Sequence, residues 1–233
     1  EDYADMPGHR GEALHSAERF AEAAIDADRR GLQISVHAIG DGAVRRVLDG
    51  YQAARETNGA RDSRHRIEHI EVLHPDDLQR VADLGVIASM QPSHPPLALD
   101  FPLQPWADRV GKDRWEWSFP VQYLRDKGVP IAFASDWPVA DINPMRSVQA
   151  AVMRKPWHPD HPSHASTLMQ ALHDYTAGGA YAGFDEDRLG RLAPGMLADI
   201  VVMDRDLESV PVEEVGEARA AVTLSGGEVI YEA

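Results

Sequence analysis

The chain has 233 residues, of which 43% are hydrophobic, and it carries a formal net charge of −15 with a sequence pI near 5.0. This length can bury a sizeable core, as one large domain or as one domain with an appendage. The acidic balance argues against nucleic acid as a partner, because phosphate binding requires clustered Lys and Arg.

Composition restricts the possible chemistry further. No apolar run approaches the roughly 18 residues that cross a bilayer, so we expect no membrane partner and a cytoplasmic location. The absence of cysteine excludes disulfides, thiolate catalysis and zinc sites built from Cys. Any metal must be bound by His, Asp or Glu, and 11 histidines are present. The chain opens at Glu1 on a polar stretch, which predicts a processed, truncated or excised polypeptide.

Helix and strand patterns alternate along the first two thirds of the chain. Residues 92–112 interrupt the alternation with a proline-rich loop, the kind of long irregular segment that is often functional. Hydrophobic periodicity, glycine stops and capping residues predict these elements in order: helix 12–30, strand 33–37, helix 42–59, strand 65–70, helix 75–84, strand 86–91, helix 118–127, strand 131–134, helix 143–154 and helix 167–181.

The alternation of helix and strand patterns ends at about Gly183, and short strand and turn signals follow. Residues 192–195 form a turn signal, residues 199–203 a short apolar strand, and residues 221–231 a hairpin around Gly226 and Gly227. This tail predicts a small β region beside the main domain.

Alternating strands and helices predict βαβ units and a parallel sheet. Four strands are half of an eight-stranded barrel, which typically needs about 250 residues. Two architectures fit, an open doubly wound sheet or the second half of a (β/α)8 TIM barrel. The alternation of side chains favours the barrel. His37, His69 and Asp136 share their strand faces with Ser35, Ile67 and Ala134, respectively. Ile34, Val36 and Phe133 lie on the opposite face, where they could contact the outer helices of a barrel.

Three strand ends carry the main candidates for chemistry. His37 ends the first strand, His69 ends the second, and Asp136 follows the fourth. Parallel α/β folds place their chemistry at the carboxyl ends of strands. Two imidazoles and a carboxylate suit Zn²⁺ or another divalent metal, with one or two ions, and an open coordination position leaves room for water.

Each candidate has a structural alternative. A histidine at a strand end is often structural, and Asp136 could instead cap the turn that follows it. Glu68 is expected on the opposite strand face from His69, as an outer group or an ion pair with Arg66. His65 is interpreted as a packed, hydrogen-bonded histidine.

The Gly40-Asp41-Gly42 turn could cradle a phosphate between strand and helix, but the full dinucleotide fingerprint is absent. The negative charge of Asp41 would repel phosphate, so Asp41 is instead interpreted as the N-cap of the next helix. It is also a candidate to support the metal ligands without binding the metal itself. If the turn did bind phosphate, the chain would be a sugar- or nucleotide-binding α/β protein.

Residues after the third and fourth strands could line a substrate pocket. Gln91, His94 and Trp137 are the candidates, and simple turn chemistry explains the first two equally well. The five tryptophans could wall a pocket or a subunit interface, or merely pack loops. His158, His161 and His164 lie among prolines and are interpreted as parts of a solvated loop.

The motifs VHAIGD, HRIEH, SMQPSH, ASDWPV and LGRLAPGMLADIVVMDRD occur in this order. Together they resemble the amidohydrolase superfamily, in particular the amidohydrolase 3 branch that includes N-substituted formamide deformylases. The resemblance implies that His37 is the metal histidine of barrel strand five, His69 that of strand six, and Asp136 the aspartate of strand eight. It implies residues 1–190 as a partial barrel of metal-dependent hydrolase type and residues 191–233 as a β-sandwich segment.

The chain departs from the family pattern in one respect. Family members carry an HxH pair on strand one and usually a ligating residue on strand four, and neither lies in this chain. The resemblance therefore implies the C-terminal portion of an amidohydrolase, whose missing N-terminal half is its first partner.

We expect the complete protein to hydrolyse a non-peptide C–N bond of a small amide or formamide through metal-activated water, with Asp136 as ligand and general base. The alternative is a non-catalytic fragment or binding module that needs a partner half or a homodimer, since half a barrel leaves two unpaired sheet edges.

Overall fold

The computed structural model describes residues 1–233, and these residues form two separate sheets. The strands are β1 (Ser35–Ala38), β2 (Arg66–His69), β3 (Ile87–Met90), β4 (Ile131–Phe133), β5 (Ile200–Met203), β6 (Ala220–Ser225) and β7 (Glu228–Glu232). The α-helices are α1 (Ala17–Arg29), α2 (Asp41–Asn58), α3 (Leu78–Asp83), α4 (Trp106–Val110), α5 (Val121–Asp126), α6 (Pro144–Met153), α7 (Leu168–Tyr175) and α8 (Ala177–Ala182). Short 3-10 helices cover Pro75–Asp77, Lys112–Trp117 and Val212–Glu217.

The first sheet is parallel, and its strand order β1-β2-β3-β4 follows the chain. Parallel neighbours need crossover connections, which here contain α2, then α3, then α4 and α5. The four strands therefore end at one edge of the sheet, and the loops that follow them meet there.

One face of this sheet packs against the helices. Ile67 and Ala88 are buried in a core with Val44 and Val81, and Val36 packs against it, because these side chains alternate onto the face that α2 and α3 cover. The predicted contact of Ile34, Val36 and Phe133 with outer helices is confirmed.

The other face is more open. A second small cluster, Ile87 and Ala132 with Ala182 of α8, covers only part of it. Gly178 in α8 lies directly on β4, where an added Cβ would sit 2.2 Å from the carbonyl oxygen of Ile131. The close approach of helix and strand therefore requires glycine.

Some predicted boundaries shift in the structure. The first helix begins at Ala17 because Ser16 caps it, accepting a hydrogen bond from the Arg19 amide. The N-cap of α2 is Gly40, so the prediction of Asp41 as the cap is wrong: Asp41 is the first helical residue, and its Oδ1 accepts from the Gly42 amide.

The predicted helix 167–181 is two helices. Its capping box is confirmed, since Thr167 and Gln170 exchange side-chain to backbone hydrogen bonds. The helical conformation is interrupted at Thr176, whose φ of −113° and ψ of −82° lie outside the helical region. The second helix, α8, then packs against the sheet.

The second sheet is antiparallel, in the order β5-β6-β7. The predicted hairpin forms between β6 and β7. Gly226 and Gly227 have φ values of +58° and +88°, the conformation that a two-residue hairpin turn requires at both positions. Val201, Val229 and Ile230 are exposed on this sheet.

None of the helices is both long and apolar enough to cross a bilayer.

Candidate metal centre

His37 and His69 meet at the carboxyl edge of the parallel sheet. Their ring centroids lie 4.4 Å apart in an edge-to-face arrangement, although the strand register pairs His37 with Glu68 and Ala38 with His69. Regular alternation would turn His69 toward the helices, as it does Ile67. The expected shared face of His37, His69 and Ile67 is therefore wrong.

The backbone of His69 explains how the two imidazoles still meet. Its φ is +82°, and that of Ile70 is +49°, so the chain leaves the extended conformation at the last strand residue. Side chains alternate between the two sheet faces only while the backbone is extended. Because the backbone of His69 is left-handed, its side chain can turn away from the helices and contact His37. Left-handed backbone at residues other than glycine costs of order 1–3 kcal/mol each and is concentrated at functional sites.

His69, His94 and Asp136 form the compact group of this edge. One potential ligand atom from each lies within 4.8 Å of the others. The Nε2 atoms of His69 and His94 lie 4.0 and 3.8 Å from Oδ2 of Asp136. These separations are too long for direct hydrogen bonds, and they leave space for an ion between the three groups.

Asp136 reaches this position from the loop after β4. The Ala134 amide donates to the Met90 carbonyl, which continues the ladder past Phe133, and Asp136 then adopts a φ of +58°. Its carbonyl accepts from the Val139 amide and closes a turn. The ligand interpretation and the turn interpretation of Asp136 are thus compatible, because the backbone forms the turn and the carboxylate faces His69.

The surroundings of His69 favour its neutral imidazole. Burial, followed by the neighbouring His37, lowers the pKa of His69 against the opposing effects of Asp136 and Glu71. Nδ1 of His69 and Nε2 of His94 are buried without hydrogen-bond partners. Unpartnered buried imidazole nitrogens are rare unless an ion or water occupies the space beside them.

Glu71 is a neighbour of the cluster that sequence reasoning missed. Its Oε1 lies 3.5 Å from Nδ1 of His94, so the carboxylate can orient this ring with Nε2 toward Asp136. Glu71 lies two residues beyond His69, and the left-handed turn at His69 and Ile70 brings it round. The sequence signal was an acidic residue two positions after a strand-end histidine.

The expected pocket residues lie in different surroundings. Gln91 is buried beneath the loop after β3 and lines an internal cavity apart from the cluster. His94 joins the cluster itself. Trp137 is 63% exposed beside Asp136.

The two outer candidates contact other groups. Glu68 accepts a hydrogen bond from Ser35 Oγ at 2.5 Å and lies 3.2 Å from Nε of Arg66, so the expected pairing with Arg66 is confirmed. Asp41 lies 3.8 Å from Arg114. Neither carboxylate forms an ion pair with a cluster histidine.

Two other histidines have structural surroundings. His65 is buried as expected, with Nδ1 accepting from the Ile34 amide and Nε2 lying 3.2 Å from Asp28. The solvated-loop interpretation is wrong for His164, which is only 5% exposed, because the loop folds back and Nε2 hydrogen-bonds the Glu116 carbonyl at 2.9 Å.

An open groove of about 360 Å³ adjoins the cluster, and its walls come from the loops that carry His94 and Asp136. It is lined by Ser93, Leu99, Asp100, Phe101, Pro138, Val139, Ala140 and Asp141. Small-molecule sites are typically concave and of this size, with a few convergent polar groups.

A parallel α/β sheet with two imidazoles and a carboxylate at its carboxyl edge is typical of metal-dependent α/β enzymes. The family comparison is consistent with this class. Residues 1–231 match the model of the amidohydrolase family, and the chain belongs to that family.

Individual relatives support the assignment. The chain is 37% identical to Protein LONG AFTER FAR-RED 3 of Arabidopsis thaliana, over 99% of this chain and 40% of the relative. It is 30% identical to N-substituted formamide deformylase of Arthrobacter pascens, over 96% of this chain and 41% of the relative. An uncharacterized metal-dependent hydrolase from Pyrococcus horikoshii has the same fold, with a TM-score of 0.75 and 31% identity over 91% of this chain and 42% of that one. The chain thus spans about two fifths of the relatives that it matches.

Proposed function

We propose that this chain is the C-terminal part of a metal-dependent hydrolase that cleaves a non-peptide C–N bond in a small amide or formamide. The observation that carries the proposal is the group formed by His69, His94 and Asp136. Family membership and the similarity to an N-substituted formamide deformylase support the bond type.

The side chains fit a divalent metal. Two imidazoles and one carboxylate are a donor set that Zn²⁺ accepts, and the buried nitrogens of His69 and His94 have no protein partner. The proposed ligands are His69, Asp136 and His37, whose ring centroid lies 4.4 Å from that of His69. His94 is placed either to join them or to polarise a substrate carbonyl.

A bound divalent ion would lower the pKa of a coordinated water toward about 7 and polarise a carbonyl group. The protein's part in the reaction centres on Asp136. Its carboxylate would accept the proton of the attacking water and deliver it to the departing amine nitrogen. Glu71 would hold the ring of His94, and the groove beside Phe101 and Pro138 would admit the substrate.

We further propose that β1 to β4 are strands five to eight of a (β/α)8 barrel, within residues 1–190, and that residues 191–233 belong to a β-sandwich. The strand order that follows the chain supports a barrel, because a doubly wound sheet reverses its order at a switch point. His37 lies exposed on the outermost strand β1. The first four strands would pair with this edge and enclose it.

The test uses the protein at its natural length. Purified protein should contain at least one divalent metal per chain, hydrolyse N-substituted formamides or related amides, lose activity on chelation and recover it with Zn²⁺. Metal-free protein with full activity would disprove the metal role. Zinc-loaded protein that leaves a panel of formamides, amides and cyclic amides intact would disprove the bond type.

A second candidate role follows from the unpaired edges. β1 pairs only with β2, and β4 only with β3, so the sheet could be completed by another polypeptide or a second copy. Residues 1–233 produced alone should then bind metal weakly and gain affinity when the complementary half is added. Stoichiometric zinc and activity in residues 1–233 alone would exclude this role.

A further inference from the structure

A second polar site lies behind the parallel sheet. A cavity of about 30 Å³ separates the ends of β3 and β4 from α6 and the loop that follows α6. Its apolar walls include Met90, Phe119 and Phe133, and none of the metal-cluster residues lines it. Its polar lining residues are Gln91, Arg154, His164 and Ser166.

All four polar side chains have an unsatisfied atom. Oε1 of Gln91, Nε of Arg154, Nδ1 of His164 and Oγ of Ser166 are sealed from solvent without hydrogen-bond partners. Gln91, His164 and Ser166 are 4–5% exposed as residues. Buried polar atoms in native proteins are nearly always paired, so four unpaired atoms on residues that line one small space indicate an occupant.

Arg154 distinguishes this cavity from an ordinary water site. Arg64, Arg80 and Arg125, which are also shielded, each lie within 3.0 Å of a carboxylate oxygen. Arg154 has no carboxylate within ion-pair distance. Its only hydrogen bond goes to the Ser118 carbonyl at 3.4 Å.

The guanidinium of Arg154 is held by aromatic rings instead. Its central carbon lies 4.3 Å from the ring centroid of Trp157 and 5.4 Å from that of Phe119. Cation–π contacts stabilise the charge only modestly, by about 0.5–2 kcal/mol. Burial consequently lowers the pKa of Arg154 to about 9. A neighbouring negative charge would offset this desolvation.

We propose that this cavity binds one small monovalent anion of halide size, held by Nε of Arg154 and Oγ of Ser166, with one water molecule beside it. The cavity of about 30 Å³ has room for a small anion and a water molecule. Both atoms belong to residues that line the cavity, and both can donate a hydrogen bond. The water molecule would donate hydrogen bonds to the remaining acceptors, Oε1 of Gln91 and Nδ1 of His164.

His164 fits the role of water acceptor. Nε2 bonds a carbonyl oxygen, so this nitrogen carries the proton and Nδ1 keeps its lone pair when the ring is neutral. Burial lowers the pKa of His164, which favours the neutral ring. Gln91 can serve the water with its oxygen, or the anion with its amide group after a half-turn of the carboxamide.

The anion would connect three segments of the fold. Arg154 ends α6, Ser166 precedes α7, and Gln91 begins the loop that carries His94. Binding would therefore raise the stability of the natural-length protein, since only the folded state contains the site.

Bromide is the probe because its anomalous scattering identifies it. Crystals of the natural-length protein grown with bromide should show an anomalous peak beside Arg154. In solution, saturating bromide should raise Tm by about 2–4 °C relative to gluconate at equal ionic strength. Arg154→Met should abolish this rise. Arg146→Met is the matched control, because Arg146 lies on the same helix with carboxylate partners, and its variant should keep the rise.

Ser166→Ala provides a second variant if Arg154→Met does not fold, and it should weaken bromide binding about 10-fold. Water alone in the cavity of bromide-grown crystals would overturn the proposal. A bromide-dependent rise in Tm that survives both cavity variants would also overturn it, because the anion would then act elsewhere.

Discussion

Two buried histidines of one strand segment, His65 and the proposed ligand His69, differ in how their ring nitrogens are satisfied. His65 and His69 are both about 5% exposed and both have a pKa lowered first by burial. His65 uses both nitrogens, toward Ile34 and Asp28. Nδ1 of His69 has no hydrogen-bond partner, and Nε2 of the same ring lies 4.0 Å from Oδ2 of Asp136.

Burial and a shifted pKa therefore do not identify a functional histidine in this chain. Hydrogen-bond satisfaction separates the two, together with backbone strain. Arg66, which follows His65, begins a regular strand, whereas His69 has a φ of +82°. An unpaired buried nitrogen and a left-handed backbone occur together at His69 and not at His65, and both features are typical of functional sites.

The largest expected effect is at Asp136. Asp136→Asn keeps the shape of the side chain but removes the base, so kcat should fall about 10²- to 10⁴-fold in the natural-length enzyme. The measurement is kcat on the best amide substrate together with metal content. Asp141→Asn is the control, because Asp141 lies in the same loop and pairs with exposed Arg146. Normal turnover by Asp136→Asn would remove Asp136 from the chemistry.

Replacing each histidine of the pair tests the comparison itself. His69→Ala should lower metal affinity at least about 100-fold and leave Tm of the metal-free protein nearly unchanged. His65→Ala should retain the metal but lower the free energy of unfolding by about 1–3 kcal/mol, because Asp28 and the Ile34 amide lose a partner. Metal titration and thermal unfolding of both variants check this. Equal loss of metal in both would contradict the distinction.

Acid should destabilise the protein through its buried neutral histidines. Burial holds the pKa of His65 and of His164 below the ordinary value of about 6.5, so below that pH the unfolded chain binds more protons than the folded one. Stability is thus complete above about pH 6.5 and falls by up to about 1.4 kcal/mol per histidine for each pH unit below it, until the folded pKa is reached.

Thermal unfolding of metal-free protein at about pH 7.5 and about pH 5.5 measures this slope. His65→Gln should reduce it, whereas the exposed His15→Gln should leave it unchanged. An unaltered slope in His65→Gln would show that His65 already binds its proton in the folded state.

The smallest effect is expected at Glu68, between the two histidines. Its carboxylate contacts Ser35 and Arg66, and its side chain is still 22% exposed, so Glu68→Gln should change stability by at most about 1 kcal/mol. Metal affinity should stay within about threefold of wild type, below the 10- to 100-fold loss typical of groups that orient ligands. A larger loss of metal would place Glu68 in the site.

Much of the fold was predictable from local patterns. The four parallel strands lie within one or two residues of their predicted positions, because short apolar runs bounded by glycine, proline and polar residues are a local signal. The helix break at Thr176 was missed, although Gly178-Gly179 is a local signal against one continuous helix. The direction in which α8 turns depends on tertiary contact, because Gly178 packs directly on β4.

The candidate site divides in the same way. His37, His69 and Asp136 were identifiable from their places at strand ends, and His94 from the motif after the third strand. Their assembly was not predictable from parity, because the left-handed residues His69 and Asp136 break the alternation on which parity depends. Glu71 and the buried Arg154 cavity depend on loops that fold back, and no periodic pattern encodes those paths.

The sequence by itself determined the alternation of strands and helices, the absence of cysteine chemistry and the family to which the chain belongs. These properties depend on residue types and short spacings, which are local. Only the tertiary structure decided which imidazoles are satisfied and which remain free, because a hydrogen-bond partner such as Asp28 for His65 comes from a distant part of the chain. The candidate site is therefore defined by long-range contacts that no local pattern encodes.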